Sequence, residues 1–362
     1  MISNQILQNT IEGLKAISKC DFYVADVEGH LLATTQKNQE IGKSEILHFA
    51  ESSAESQVIR GYHFFKVYDE VSLEYVLIAY GDNDDVIMAG KMAAFQIQNL
   101  LVAYKERFDK DNFIKNLLLD NLLLVDIYNR AKKLHIEINK RRVVFILESG
   151  HGKDFSILES VKRLFQNKHG DFITAVDEKS IIIVKEVGDQ EGYEQMNKVA
   201  ESILSVTGKN EDGSMHIAYG TIVKELKEVS RSYKEARMAL DVGKIFFKEK
   251  EIIAYSSLGI GRLIYQLPIP LCKMFIKEIF DDKSPDDFDE ETIVTINKFF
   301  ENSLNVSETS RQLYIHRNTL VYRLDKIQKS TGLDLRVFED AITFKIALMV
   351  VKYMKYMETL DY

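Results

Sequence analysis

Residues 306–329 read Val306-Ser-Glu-Thr-Ser-Arg-Gln-Leu-Tyr-Ile-His-Arg-Asn-Thr-Leu-Val-Tyr-Arg-Leu-Asp-Lys-Ile-Gln-Lys329. The spacing predicts two short helices joined by a tight turn at Tyr314-Ile315-His316. Ser307 is a candidate N-cap for a helix over 308–313, because its hydroxyl can accept from an orphan amide of the first turn. Val306, Thr309 and Leu313 form the packed side, and Ile315 is placed to plug the space between the helices. In the second helix Leu320, Leu324 and Ile327 recur at i, i+4 and i+7, one apolar stripe facing inward. Arg317, Asn318, Thr319, Tyr322 and Arg323 then occupy the remaining faces near the helix start. Such a helix suits a DNA major groove, where Arg and Asn match base edges and Arg and Thr meet phosphates.

From these residues, Arg317 and Asn318 are expected to contact base edges. Thr319, Tyr322 and Arg323 are expected on phosphates or bases, and His316 or Arg311 on the backbone. Arg323 has an alternative, an internal salt bridge. The plainer reading of the whole motif is a helical hairpin that only packs or dimerises, but packing does not require five hydrogen-bonding side chains at one helix start.

The bulk properties restrict what surrounds this motif. The chain has 362 residues, 46% of them hydrophobic, enough for two or three domains. A net charge of -8 argues against a protein coated in nucleic acid. Within 305–330, however, five basic residues (Arg311, Arg317, Arg323, Lys326, Lys329) face two acidic ones (Glu308, Asp325), a local +3. An acidic body with a basic tip limits loose binding and keeps the tip attracted to phosphate. Cys20 and Cys272 lie far apart without metal-ligand spacing, so no disulfide framework, zinc site or other metal site is expected. With no signal peptide and no uninterrupted apolar run near the ~18 residues of a membrane helix, a soluble cytoplasmic protein is expected, with no membrane association.

Along the chain, a helix over 4–18 precedes a hairpin of Phe22–Val27 and His30–Thr34 turning at Gly29. A helix near 44–52 and β-rich stretches at 57–68 and 72–80 follow, the element order of a PAS-like sensor. A long helix over 84–120 is expected to pair with its own copy or to lead into the next domain. Residues 121–257 alternate helix and strand: helix 121–137, strand 142–147, helix 156–167, a hairpin of 172–176 with 180–184, helix 191–205, strand 215–220 and helix 225–241. This predicts a small α+β domain with one antiparallel sheet. From 258 onward the pattern is helical, entered at Pro268 and Pro270, with helices near 271–281, 290–301, 306–313, 317–329 and 338–357. The acidic run 281–287 is expected as a loop. The expected domains are therefore 1–120, 121–257 and 258–362.

The run Ile315-His316-Arg317-Asn318-Thr319-Leu320-Val321-Tyr322-Arg323-Leu324, followed by Ile327 and Thr331-Gly332-Leu333-Asp334, resembles the C-terminal helix-turn-helix of the CdaR/PucR transcriptional regulators. Phe338-Glu339-Asp340 and the apolar helix from Phe344 to Met349 fit the same pattern. Ser310 stands where the family has alanine. Upstream, Ala218-Tyr219-Gly220-Thr221 and Ser232-Tyr233-Lys234-Glu235-Ala236-Arg237-Met238-Ala239-Leu240 are similar to the end of the family's middle domain, a degenerate relative of GGDEF nucleotide cyclases. Glu40-Ile41-Gly42 is the best local match in the N-terminal third. The resemblance implies an α+β multidomain regulator: a PAS-like N-terminal sensor, a degenerate GGDEF-like α+β middle domain and an all-α helix-turn-helix domain. It further implies double-stranded DNA and a small-molecule effector as partners.

Enzymatic chemistry is poorly supported by the residues. A working cyclase needs a glycine pair and free carboxylates in its hairpin turn, where backbone approaches a triphosphate and metals are held. The turn here, Ala175-Val176-Asp177-Glu178-Lys179-Ser180, has no glycine, and Lys179 puts positive charge where metal would bind. No cofactor is expected. For the effector, Arg60, His63 and Lys66 along a predicted strand are candidates for an acidic metabolite. Against them stands ordinary surface charge, since alternation puts Arg60 and His63 on opposite faces. The expected function is an effector-controlled, sequence-specific DNA-binding regulator of carbohydrate or related catabolic genes, assembled as a homo-oligomer. The alternatives are a ligand sensor whose output is protein–protein contact, or a nucleotide cyclase relative.

Overall fold

A computed structural model describes residues 2–36, 41–69, 72–81, 85–149, 155–165, 170–207, 215–280 and 288–360. The contacts divide the chain into two compact units, Met1–Ile114 and Lys115–Tyr362.

In the first unit, α1 (Asn4–Ser18), β1 (Asp21–Asp26), β2 (Leu31–Thr34), α2 (Lys43–Glu51), β3 (Ser56–Ile59), β4 (Tyr62–Asp69) and β5 (Ser72–Tyr80) precede α3 (Val86–Leu118). The strands form one antiparallel sheet in the order β2-β1-β5-β4-β3. Both faces of β1 and β5 are covered, so these inner strands read as continuous apolar runs rather than as alternation, whereas edge strand β3 is largely exposed. Phe22, Phe65, Val67, Leu77 and Ala79 pack with Leu7 and Ile11 of α1 and Ala93, Ile97 and Leu101 of α3. On the other face Tyr23, Phe64, Val76 and Ile78 pack with Ile46 and Phe49 of α2. By length and composition α3 is apolar enough to cross a membrane, although charged and amide side chains interrupt its apolar runs. Its inner side is nevertheless part of this sheet's core.

The second unit begins with α4 (Leu124–Lys133), shorter than the predicted 121–137. Next come β6 (Arg142–Ser149), α5 (Phe155–Phe165), β7 (Phe172–Thr174), β8 (Ser180–Glu186), α6 (Tyr193–Thr207), β9 (Met215–Tyr219), α7 (Val229–Phe246) and β10 (Ile252–Ala254). The sheet order is β10-β9-β6-β8-β7. It is antiparallel except for β10, which runs parallel to β9 and was not anticipated from its three residues. Val143, Phe145, Leu147, Ile183 and Ile217 face α5 and α6, and α7 lies across β6 and β9.

The remaining helices are α8 (Gly261–Ile264), α9 (Ile269–Phe280), α10 (Glu290–Glu301), α11 (Val306–Gln312), α12 (Arg317–Thr331) and α13 (Phe338–Leu360). Pro270 sits in the first turn of α9, where its missing N–H has no helical partner to lose. The acidic run 281–287 lies outside the described residues. α13 serves two cores. Its Phe344 and Ala347 join Ile296, Phe299, Leu320 and Leu324, whereas Val350 and Tyr353 join Ile245 of α7, Ile264 of α8 and Cys272 of α9. For this reason the segments expected as separate domains on either side of residue 257 share one unit.

Candidate nucleic-acid interface

The two-helix motif is built as α11, a turn and α12. Asn305, not Ser307, caps α11: its side-chain oxygen accepts from the Glu308 amide at 3.0 Å, and the helix starts at Val306. Ser303 and Leu304 ahead of it both have positive φ (51° and 63°), which swings Asn305 into the capping position. Ser307 lies inside the first turn, where its carbonyl accepts from the Ser310 hydroxyl at 2.9 Å. That bond satisfies the buried Ser310 hydroxyl.

His316 is more than a turn residue. It is the N-cap of α12, with Nδ1 accepting from the Asn318 amide at 3.2 Å. Leu320, Leu324 and Ile327 are fully covered, locking α12 into the core. Gly332 ends the helix with φ 78°, a left-handed conformation that glycine adopts without a Cβ penalty. Beyond it, Asp340 accepts from the Asp334 amide at 2.9 Å, so the Gly332–Asp340 stretch fixes where α13 starts.

This framework leaves His316, Arg317, Asn318, Thr319 and Tyr322 exposed together at the start of α12. Among the described residues, no group engages the side chains of Arg317, Asn318, Thr319 or Tyr322. Tyr314 stands beside them, 96% exposed and with φ 54°. Sequence reading assigned it only to the turn, and a left-handed tyrosine carries no local sequence signal. Arg311 lies one helix earlier, exposed, in a bidentate pair with Glu308 (3.0 and 2.6 Å).

Arg323 differs from the rest. Its guanidinium donates to the Thr295 hydroxyl at 3.0 Å and pairs with Glu291, both on α10, leaving the side chain 19% exposed. The internal bridge, rather than a free phosphate-facing cation, is therefore what the fold contains. Replacing Arg323 with alanine is expected to lower stability by about 1–2 kcal/mol, since hydrogen bonds to charged groups contribute about 1.5–3 kcal/mol and Glu291 is open to solvent. The salt dependence of DNA binding should stay unchanged, whereas loss of a phosphate contact would reduce its slope by about 1. Thermal denaturation and binding titrations at several salt concentrations separate the two.

The effector candidates are not brought together. Arg60 occupies the β3–β4 turn with φ 52° and pairs with Glu45 at 3.0 Å. His63 alternates with Phe65 toward the α1/α3 side of β4. Lys66 lies on the α2 side, its ammonium 5.5 Å above the Phe49 ring and bonded to the Ser52 carbonyl. Strand alternation separates His63 from Lys66. The polar groups that do converge on the α2 side are phenols. Tyr62 stacks on Tyr80 at 4.6 Å and meets Tyr23 edge-on at 6.2 Å, while Tyr23 donates to Gln36 at 2.5 Å. Burial, then the neighbouring Tyr62, pushes the Tyr23 hydroxyl up to about 12, which keeps it a donor.

The middle-domain turn is occupied by protein charge. Asp177 accepts from the Lys179 and Ser180 amides at 2.9 and 2.7 Å and from Arg237 at 2.7 Å. Burial opposes ionisation there, but these donors hold its carboxyl below the usual carboxylate range. Glu148, at the end of β6, pairs with Lys244 and lies 3.9 Å from Arg237. The positive charge thus comes from α7, and Lys179 itself is exposed. Carboxylates already matched by a guanidinium and an ammonium do not fit a pair of catalytic metal ions. The Gly220 and Ser232 stretches that resemble the family are a clasp. Ser232 Oγ accepts from the Val144 amide at 3.0 Å and donates to the Thr221 carbonyl at 2.8 Å. A Cβ on Gly220 would lie 2.0 Å from the Ser232 carbonyl oxygen.

Comparison with known proteins agrees with this geometry. Residues 292–350 match the PucR C-terminal helix-turn-helix domain, and residues 121–242 match a GGDEF-like domain. The carbohydrate diacid regulator of Escherichia coli (strain K12) is 25% identical over 240 residues, 61% of this chain and 60% of that protein. The match to the PucR C-terminal helix-turn-helix domain and the similarity to this regulator support a relationship to the CdaR/PucR regulators. The purine catabolism regulatory protein of Bacillus subtilis (strain 168) is 27% identical over 128 residues, 35% of this chain and 24% of that one. The DNA-binding transcriptional activator AdeR of the same organism is 30% identical over 178 residues, 45% and 40% of the two chains. The chain thus spans less than two thirds of the length of these relatives. The two segments matched by domain models are the middle sheet domain and the helices around α12.

Proposed function

We propose that this protein is a sequence-specific transcriptional regulator of the CdaR/PucR type that binds double-stranded DNA through α12 and answers to a small-molecule effector. The observation that carries the reading is the unengaged group of Arg317, Asn318, Thr319 and Tyr322 on a helix whose other side is fixed in a core. Arg317 and Asn318 read base edges; Thr319, Tyr322, His316 and Arg311 meet backbone, and Arg323 positions α12 from within. The relatives' names concern carbohydrate diacids and purine catabolism, which supports catabolic target genes and an acidic metabolite as effector. The N-terminal unit is the sensor. Its strand order β2-β1-β5-β4-β3, with helices on both faces, supports a PAS-like reading. The protein acts in the cytoplasm as a homo-oligomer, so that two α12 helices address half-sites one or more DNA turns apart.

Selection of genomic fragments by the purified protein, with and without acidic metabolites, tests this. Enrichment of discrete promoter sequences that shifts with one metabolite is the expected result, and binding should weaken steeply as salt rises. Indiscriminate or salt-insensitive capture would overturn it in favour of an output through protein contact.

The middle domain is structural in this reading. With Arg237 and Lys244 on the carboxylates, Mg²⁺ with GTP should yield no cyclic dinucleotide and no rise in melting temperature. Detectable turnover, abolished by Glu148→Gln, would contradict it.

A further inference from the structure

The inner side of α3 is committed to the sheet core through Val86, Ala93, Ile97 and Leu101. Its outer side is also apolar, which solvent alone does not explain. Met88, Met92, Phe95 and Val102 are all exposed, Phe95 by 65%. Positions 88, 92, 95, 99 and 102 follow the alternating four-three spacing of a coiled-coil seam, and the fifth member of the set is the exposed Asn99. An apolar stripe on one face of a surface helix marks a contact. No described residue of the same unit covers it.

We propose that this outer face of α3 is a self-association surface, on which a second copy of the chain lays its own α3 in parallel. The inference rests on the homo-oligomer reading above and names the surface responsible. Asn99 sets the direction. In a parallel pair, Asn99 meets Asn99 of the second copy and the two amides satisfy each other. In an antiparallel pair centred on Phe95, Asn99 would face a methionine and lose its partner. A single asparagine in such a seam fixes register and partner number at some cost in stability. The spacing also favours a second copy over a lipid surface. Lys91, Gln96, Gln98 and Lys105 flank the seam on both sides, so the stripe between them is about one helix wide, although Ile87 and Phe108 are also exposed off it. Spanning a bilayer would require pulling Ala93, Ile97 and Leu101 out of the sheet core.

The full-length chain, studied by analytical ultracentrifugation, should sediment at twice its 41.7 kDa mass. Phe95→Glu combined with Val102→Glu should return it to monomer with an unchanged circular dichroism spectrum, because both side chains are exposed. As an independent readout, Asn99→Cys should form a covalent dimer under mild oxidation, since facing seam positions bring Cα atoms within disulfide range. Arg107→Cys, off the seam, should not, and the native Cys20 and Cys272 are buried. A double variant that stays dimeric, with no Asn99→Cys cross-link, overturns this inference and leaves the homo-oligomer reading standing. A wild type that is monomeric at every concentration overturns both. Co-sedimentation with phosphatidylglycerol vesicles, lost in Phe95→Glu, would assign the face to lipid and also overturn it.

Discussion

A double variant carrying Arg317→Ala and Asn318→Ala is expected to lose discrimination between its operator and unrelated duplex DNA. Each bidentate side-chain-to-base pair contributes about 1–3 kcal/mol of discrimination. Two together correspond to roughly a thirtyfold loss at the low end and more than a thousandfold at the high end. Neither side chain packs or pairs in the free protein, so folding should be untouched and the melting temperature should match wild type. Binding to non-specific DNA should fall much less, because Thr319 and Tyr322, which we propose meet the DNA backbone, remain. Fluorescence anisotropy with operator and scrambled duplexes at fixed salt measures both terms. Equal operator affinity for wild type and variant would remove α12 from the recognition role.

Leu324→Ala is the second large effect. Leu324 is fully buried between α10, α12 and α13, and truncating a core leucine costs about 2–5 kcal/mol, with the spread set by how far the site can collapse. The neighbours here include Phe280, Phe299 and Phe344, with Phe280 and Phe344 edge-on at 5.7 Å. Interlocked rings leave little room for collapse, which places the cost toward the upper part of that range. Urea denaturation should show a lower midpoint with an unchanged slope. DNA binding should survive at low temperature, since none of the side chains proposed to contact DNA is altered. A loss under about 1 kcal/mol would mean that α12 is not anchored as described.

How much was legible beforehand follows from the range of the interactions. The α12 stripe Leu320, Leu324 and Ile327 was readable because helical periodicity is local, and all three are buried. The hairpin at Gly29 was readable because its positive φ, 78°, is a glycine signature. The cap of α11 was misassigned to Ser307 because Asn305 and Ser307 are both good cap formers. What selects Asn305 is the pair of left-handed residues, Ser303 and Leu304, which no propensity suggests. Arg323 could be read two ways because its partners, Glu291 and Thr295, lie about eight helical turns of sequence away on another helix. The same distance problem hid Arg237, 60 residues from Asp177, and left Lys179 as the visible cation. The grouping of Arg60, His63 and Lys66 failed for a different reason: proximity in a strand is not proximity on a face.

Helix α13 has a mechanical implication. Along one continuous rod, Phe344 and Ala347 are gripped by the helices that hold α12, and Val350 and Tyr353 by the end of α7 and its neighbours. A rigid rod clamped at both ends transmits tilt, so strain introduced near Ile245 must be felt at the foot of α12. The same clamping denies the C-terminal helices a melting event of their own, and calorimetry of the second unit should record a single endotherm.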